Sequence, residues 1–225
     1  MRLAVISDIH SNLHALNAVI EAIQGTEVDL VVCAGDIVGY GAFPNECCRI
    51  LKNLSNHVVF GNHDIAALTE DTTWMNPDAA KAALWTARNL STRSRHYLES
   101  LKIETSLESD KMKTRIFHGS PRSVAEYVYE EDAGEGMLDA EEVDLLVLGH
   151  THVPFVKSFG DRLIVNPGSV GQPRDHDSRA SWALIDTKSK TCSIQRVSYD
   201  IGLAAEAIDA AGLPGFLAAR LFSGM

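Results

Sequence analysis

The sequence predicts an α/β fold in which two packed β-sheets carry helices on their outer faces. Three observations predict it. Through residues 3–60, apolar strand-like runs alternate with helix-period segments. From about residue 103 onward the pattern turns β-rich. No repeat, linker or shift in composition interrupts the chain, so its 225 residues read as one domain, 1–225.

Leu3 to Ser7 is a short apolar run suited to a buried strand. Leu13, Leu16, Ile20 and Ile23 then recur at helical spacing, and Gly25 ends that helix. Asp29 to Ala34 is a second buried strand. Asn45 to Leu54 reads as a helix behind Pro44, and His57 to Phe60 as a third strand. Strand, helix, strand, helix, strand implies parallel pairing with crossover helices.

Residues at about 65–102 break this rhythm and read as a helical insert, with helices near 77–90 and 92–101 and Pro77 in a first turn. The insert, which holds Trp74 and Trp85, is expected to pack on a sheet edge. A wall over a site or a self-association surface is the functional alternative. Strands follow at about 103–108, 113–118, 143–148, 154–159, 161–165, 180–186 and 191–198, with a hairpin tip at Asp161-Arg162. The acidic stretch Glu130 to Glu142, with Gly134 and Gly136, reads as a mobile loop. Ile201 to Met225 reads as two short helices broken at Gly212, Pro214 and Gly215.

Composition excludes several classes of function. Hydrophobic residues make up 45% and charged residues 22%, which rules out disorder and low complexity. The net charge of −10 repels a phosphate backbone, so long nucleic acid is not an expected partner. No apolar stretch reaches membrane-spanning length, and the N-terminal apolar run is too short for a signal peptide. Cys33, Cys47, Cys48 and Cys192 show no C-x-x-C spacing. Free thiols in a reducing compartment are expected, which places the protein in the cytoplasm.

Polar residues cluster where the apolar strands end. These are Asp8-Ile9-His10, Gly35-Asp36, Gly61-Asn62-His63-Asp64, His118-Gly119 and Gly149-His150-Thr151-His152. Ligand sites of open α/β sheets lie beyond the carboxyl ends of the strands. Each motif alone is weak, but five of the nine histidines fall at these ends. Carboxylate, imidazole and amide oxygen without thiolate form a hard-to-borderline donor set for Mn²⁺, Fe²⁺, Co²⁺, Ni²⁺ or Zn²⁺. Asp8, His10, Asp36, Asn62, His118, His150 and His152 are too many for one four-coordinate ion and suit two ions sharing a carboxylate. Gly35, Gly61 and Gly149, each preceding a motif, are expected to let the backbone turn and approach the ions.

The order D-x-H, G-D, G-N-H-D, H, G-H-x-H resembles the signature of the calcineurin-like metallophosphoesterases. The run Asn166-Pro167-Gly168-Ser169-Val170 is similar to the small prokaryotic phosphodiesterase branch. The resemblance implies a four-layer α/β/β/α sandwich of two mixed sheets with a dinuclear metal centre. It implies that Asp8, His10 and His152 hold one ion, that Asn62, His118 and His150 hold the other, and that Asp36 bridges. His63 would be catalytic, with Asp64 orienting its ring and raising its pKa.

The activity implied is hydrolysis of a small or nucleotide-like phosphodiester by attack of a metal-bridged hydroxide, with Mn²⁺ the favoured ion. A phosphomonoesterase, a dinucleoside polyphosphate hydrolase and a noncatalytic scaffold, as in the family's retromer subunit, are the alternatives. One departure bears on substrate. Where the protein Ser/Thr phosphatase branch carries a phosphate-gripping arginine after G-D, this chain has Tyr40. Asn12 and Arg174 are the candidate substrate contacts, with His14 and Arg122 weaker ones. A small phosphorylated molecule is the expected partner, and a homo-oligomer is compatible with the insert.

Overall fold

The computed structural model describes residues 1–225. The first half runs β1 (Arg2–Ile6), α1 (Leu13–Gln24), β2 (Leu30–Cys33), α2 (Pro44–Leu54), β3 (His57–Val58), α3 (Asn62–Thr69), α4 (Pro77–Asn89) and α5 (Thr92–Glu99). The second half runs β4 (Glu104–Ser109), β5 (Met112–Phe117), α6 (Glu135–Glu141), β6 (Leu145–Val147), β7 (Phe155–Phe159), β8 (Arg162–Asn166), β9 (Ala180–Asp186), β10 (Thr191–Val197), α7 (Ile201–Ala210) and α8 (Gly215–Ala219). A 3₁₀ turn at Arg220–Phe222 follows.

Two five-stranded mixed sheets result, in the orders β10-β9-β1-β2-β3 and β4-β5-β6-β8-β7. β1 runs parallel to β2, with Leu3 opposite Leu30, and antiparallel to β9, with Leu3 opposite Ile185. In the second sheet β6 lies parallel to both β5 and β8. Alternate residues of β1 serve different layers, as a strand's period of two demands. Leu3 and Val5 pack with Met112, Ile116, Leu145, Val147, Leu163 and Val165 between the sheets. Ala4 and Ile6 pack outward with Leu16 and Val19 of α1 and with Cys47 and Leu51 of α2. Leu138 of α6 covers the outer face of the second sheet with Phe117, Leu146 and Ile164. The layer order is therefore helix, sheet, sheet, helix. No helix is long and apolar enough to cross a membrane.

Two expectations are corrected, and one helix is added. The stretch Glu130 to Glu142 is not a mobile loop throughout. It contains α6, which forms because Leu138 is fully buried and Arg162 ties Glu135 and Asp139 to β8. The third strand is two residues long and is extended only by an isolated bridge from Val59 to Lys102. Helix α3 begins at Asn62 itself, where no apolar period announces it. In the insert, α4 packs Ala79 and Ala82 against Ile208 and Leu217 of the C-terminal helices, while α5 buries Leu98 against the α1–α2 layer. Trp74 is half exposed and Trp85 is partly buried in that C-terminal cluster.

Candidate metal centre

β1, β2, β5 and β6 all end at one edge, and their ends are stitched together by backbone bonds. Asp8 N–H donates to Gly35 O at 3.0 Å, and Gly149 N–H donates to His118 O at 2.7 Å. The Asn166–Val170 loop forms a clasp over this edge. Asn166 Nδ2 donates to Gly149 O at 2.7 Å, Ser169 Oγ to Asp8 O at 2.7 Å, and Val170 N–H to Ser7 O at 3.0 Å. This positioning role of the loop has no signature in the residues themselves.

The clasp holds a strained backbone. Asp8, His10, Asp36, His150 and His152 have φ of 54°, 50°, 51°, 68° and 61°. Side-chain residues seldom occupy this left-handed region, and such strain persists only where surrounding bonds over-determine it. The three glycines before the motifs do not all act alike. Gly35 has a positive φ of 93°, whereas Gly61 and Gly149 take ordinary φ and serve close approach. A Cβ on Gly61 would collide with the Asp36 carboxylate, and one on Gly149 with the Ser7 hydroxyl.

Donor atoms gather in three groups, each within 4.8 Å: Asp8, His10 and His152; Asp36, His118 and His150; and His10, Asp36 and His63. Asp36 lies between the first two. Its Oδ2 is 3.6 Å from His10 Nε2 and 3.3 Å from His118 Nε2. Asn62 adjoins the second group, with Oδ1 at 2.9 Å from His118 Nε2.

The second nitrogens of three rings fix their tautomers. His10 Nδ1 faces Val38 O at 3.2 Å, His118 Nδ1 faces Ala34 O at 2.8 Å, and His152 Nδ1 faces Gln172 O at 2.6 Å. A carbonyl only accepts, so each Nδ1 carries a proton, and Nε2 of each ring faces inward, a lone pair on His10 and His152 and on His118 once that ring is neutral. His10 Nε2 and His152 Nε2 then face one another at 3.0 Å. Two lone pairs at that distance repel unless a cation lies beside them. Asp8 Oδ1, Asp36 Oδ2 and His150 Nε2 are likewise buried without a protein partner. Buried polar atoms without hydrogen bonds are costly, and cations among these donor groups would satisfy them. The donor set therefore fits divalent metal ions. Cys33, Cys47 and Cys48 are buried in the core, and none of them joins a donor group.

Burial and charge set the protonation states. Burial pushes His10 and His152 well below the usual imidazole range, so both are neutral and competent to ligate. Burial and the neighbouring His118 bring His150 down to about 3. Burial pushes Asp8 up to about 7, against the pull of His118. Burial also acts to raise Asp36, but the imidazoles of His118, His63 and His10 outweigh it and hold that carboxyl below its usual range. His118 is the counterpart. Burial lowers it, and Asp36 and Asp8 reverse that, raising it to about 9. In the protein alone, a proton on His118 supplies the positive charge that Asp36 attracts.

His63 and Asp64 depart from expectation. Asp64 does not touch the His63 ring. Its carboxylate accepts the backbone N–H groups of Val38 at 2.9 Å, Gly61 at 2.9 Å and Ile37 at 3.2 Å. It accepts the N–H of Gly61, the residue that caps the start of α3, and ties that helix to the loop after Asp36. The His63 ring is held by packing instead, against Tyr40 at 4.4 Å and His10 at 4.9 Å between centroids. Gly39, with φ of 100°, makes room for it, since a Cβ there would lie 2.8 Å from His63 Nδ1. His63 Nδ1 has no partner, and burial takes the ring down to about 4 rather than up.

The substrate candidates separate clearly. Asn12 lines a small pocket beside His10, but its amide is spent inside the chain. Oδ1 caps α1 at Ala15 N–H, and Nδ2 donates to Gly171 O at 2.9 Å. His14 lines the same pocket, half-buried, with its ring edge-on to Phe43. Arg122 is two-thirds exposed and paired with Glu126. Arg174 is at the site. Its Nη2 donates to Tyr40 Oη at 3.2 Å and Gln172 Oε1 at 3.1 Å, and its Nε has no partner. Its charge acts on Asp8, His10, His63, His150 and His152. Tyr40 thus presents an arginine from another loop.

Comparison with known proteins agrees with this geometry. The chain is 39% identical over 241 residues to an uncharacterized protein of Methanocaldococcus jannaschii, covering 99% of this chain and 98% of that one. It is 23% identical over 174 residues to a phosphodiesterase of the same organism, covering 75% and 83%. Its structure superposes on a metallophosphoesterase from Sphaerobacter thermophilus with a TM-score of 0.87 at 36% identity, covering 100% and 99%. Residues 1–190 match the calcineurin-like phosphoesterase superfamily domain, and the chain belongs to that superfamily.

Proposed function

We propose that the protein is a metal-dependent phosphodiesterase acting on small or nucleotide-like phosphodiesters. The observation that carries this reading is the position of Asp36 Oδ2, which is buried, makes no hydrogen bond and stands between His10 and His118. A carboxylate there is suited to bridge two ions, one held by Asp8, His10 and His152 and the other by Asn62, His118 and His150. Mn²⁺ is the favoured ion, with Fe, Ni, Co and Zn also matching the donors. Ions bound there supply Lewis acidity toward phosphate oxygens and lower the pKa of water, providing the nucleophile.

The chain's own residues do the rest. Arg174 is positioned by Nη2, which donates to Tyr40 Oη and Gln172 Oε1, and keeps an unpaired Nε, which suits a guanidinium gripping a phosphate oxygen. The His63 ring packs beside His10 with its Nδ1 unpartnered, which supports a role in donating an N–H to a leaving oxygen. Phosphate beside the ring opposes the effect of burial and favours the imidazolium, the form able to protonate that oxygen. Asp64 acts at one remove, through the backbone of Ile37 and Val38. Four free cysteines support a reducing, cytoplasmic setting.

Paired rates test the reading. With Mn²⁺ added, bis-p-nitrophenyl phosphate should be cleaved faster than p-nitrophenyl phosphate, and chelation should stop both. Faster monoester cleavage would reassign the protein to the phosphomonoesterases. Metal-independent cleavage would discard the mechanism.

A further inference from the structure

The segment after His118 carries an aromatic pair that no step above uses. Tyr127 and Tyr129 are 51% and 38% exposed, while Val128 between them is buried against the outer face of the second sheet. The two rings lie parallel to within 10°, with centroids 6.2 Å apart. Tyr127 also packs on the His150 ring at 4.1 Å. A row of three rings therefore runs from a candidate metal ligand out to solvent.

This row is held firmly. Ser120 Oγ donates to Glu126, Arg122 Nε donates to the same carboxylate at 3.1 Å, and Ser120 N–H donates to Ser123 O at 2.9 Å. Val128 anchors the segment from below. A rigid aromatic surface loses little freedom when a flat ring stacks on it. Because Tyr127 touches His150, a group stacked there lies within reach of a phosphorus at the metal centre. Beyond Tyr129 come Glu130, Glu131 and Asp132, all exposed. Those carboxylates disfavour additional phosphates at the outer end of the row.

We propose that Tyr127 and Tyr129 form a stacking subsite for a planar aromatic group, of the nucleobase type, joined through a single phosphate to the reacting centre. The inference rests on the phosphoesterase reading and narrows its substrate class. It favours nucleoside phosphate esters over aliphatic esters and over polyphosphates. Base stacking on an aromatic side chain tolerates any base, so the subsite selects a flat ring and not a particular sequence.

Calorimetric titration of the Mn²⁺-loaded protein with adenosine 5′-monophosphate and with ribose 5-phosphate tests it, since the two ligands share a phosphate and differ in the base. The nucleotide should bind about 10-fold more tightly, the scale of one base stacked on one aromatic ring. Tyr127→Ala should remove most of that preference, and Tyr127→Phe should keep it. Tyr129→Ala, which is remote from the ligand histidines, should lower it by about 3-fold. The fluorescence of 2-aminopurine riboside 5′-monophosphate should be quenched on binding and restored in Tyr127→Ala. Equal affinities in the wild type, or a preference unchanged in both alanine variants, would overturn the subsite. If bis-p-nitrophenyl phosphate is still hydrolysed in a metal-dependent way, that result overturns the subsite alone. Absence of such hydrolysis overturns the phosphoesterase reading and the subsite with it.

Discussion

Asp64 accepts the backbone N–H of Val38 at 2.9 Å, so a carboxylate at the start of α3 is fastened to the loop that follows Asp36. Gly61 and Ile37 donate to the same carboxylate. Burial and the charge of Asp36 push this carboxyl up to about 7, against those three donors. Replacing Asp64 by Ala leaves three buried N–H groups without an acceptor. Each such loss costs on the order of 1–3 kcal/mol, so a total loss of at least about 3 kcal/mol is expected. Asp64→Asn, which keeps one acceptor oxygen, should lose less. Denaturant unfolding of the three proteins checks this, and equal midpoints would show that the carboxylate holds nothing.

Gly39→Ala should act on His63 without touching a ligand. The new methyl would press on His63 Nδ1, and a φ of 100° is strained for any side chain. Diester turnover should fall at least about 10-fold while bound metal is retained. His63→Ala should fall at least about 10²-fold on a diester with a poor leaving group, again with metal retained. Elemental analysis beside the rate assay distinguishes both from simple loss of metal.

Arg174→Ala should weaken phosphate binding and leave metal content intact. Charge-assisted hydrogen bonds contribute about 1.5–3 kcal/mol, equivalent to roughly 10- to 100-fold in the inhibition constant of inorganic phosphate. Arg174→Lys should recover only part of this, because a lysine lacks the planar fork. An unchanged inhibition constant would remove Arg174 from the site.

The metal-free protein should be most stable near neutral pH. His63 and His150, at about 4 and about 3, stay unprotonated in the fold where the unfolded chain protonates near 6.5. His10 and His152 behave likewise. The unfolded state binds more protons in this window, so stability falls as pH drops from about 6.5 toward 4. Asp8 and Asp64, at about 7, oppose this trend, and the four depressed histidines outnumber them. His118, at about 9, acts on the alkaline side. Its stabilisation is full below about 6.5 and is lost as pH rises through 9. Melting temperatures of chelator-treated protein from pH 4.5 to 9 should trace a maximum, and a flat profile would contradict these protonation states.

Much of this was legible in the residues. The alternation of Leu3–Ser7, the Leu13–Ile23 helix and Asp29–Ala34 announced the parallel half of the first sheet, because buried strands and amphipathic helices carry strong periods. The motif order brought Asp8, Asp36, His118 and His152 to one edge because parallel strands end together. Other features had no local signal. Helix α6 depends on Leu138 finding the second sheet and on Arg162, which lies far along the chain. Asp64 beside His63 reads as a ring partner, yet three backbone N–H groups from distant and local loops claim it. The left-handed φ of five candidate ligands is a property of the assembled edge and of the Asn166–Val170 clasp.

The proposed function assigns Asp36 to both ion sites. Anomalous diffraction at the manganese edge, from crystals of wild type and Asp36→Asn grown with Mn²⁺, tests it most directly. The wild type should show two peaks, one among Asp8, His10 and His152 and one among Asn62, His118 and His150, with Asp36 Oδ2 touching both. Asp36→Asn should lose one or both peaks. A single wild-type peak, or two peaks with Asp36 bound to neither, would rule out a shared Asp36.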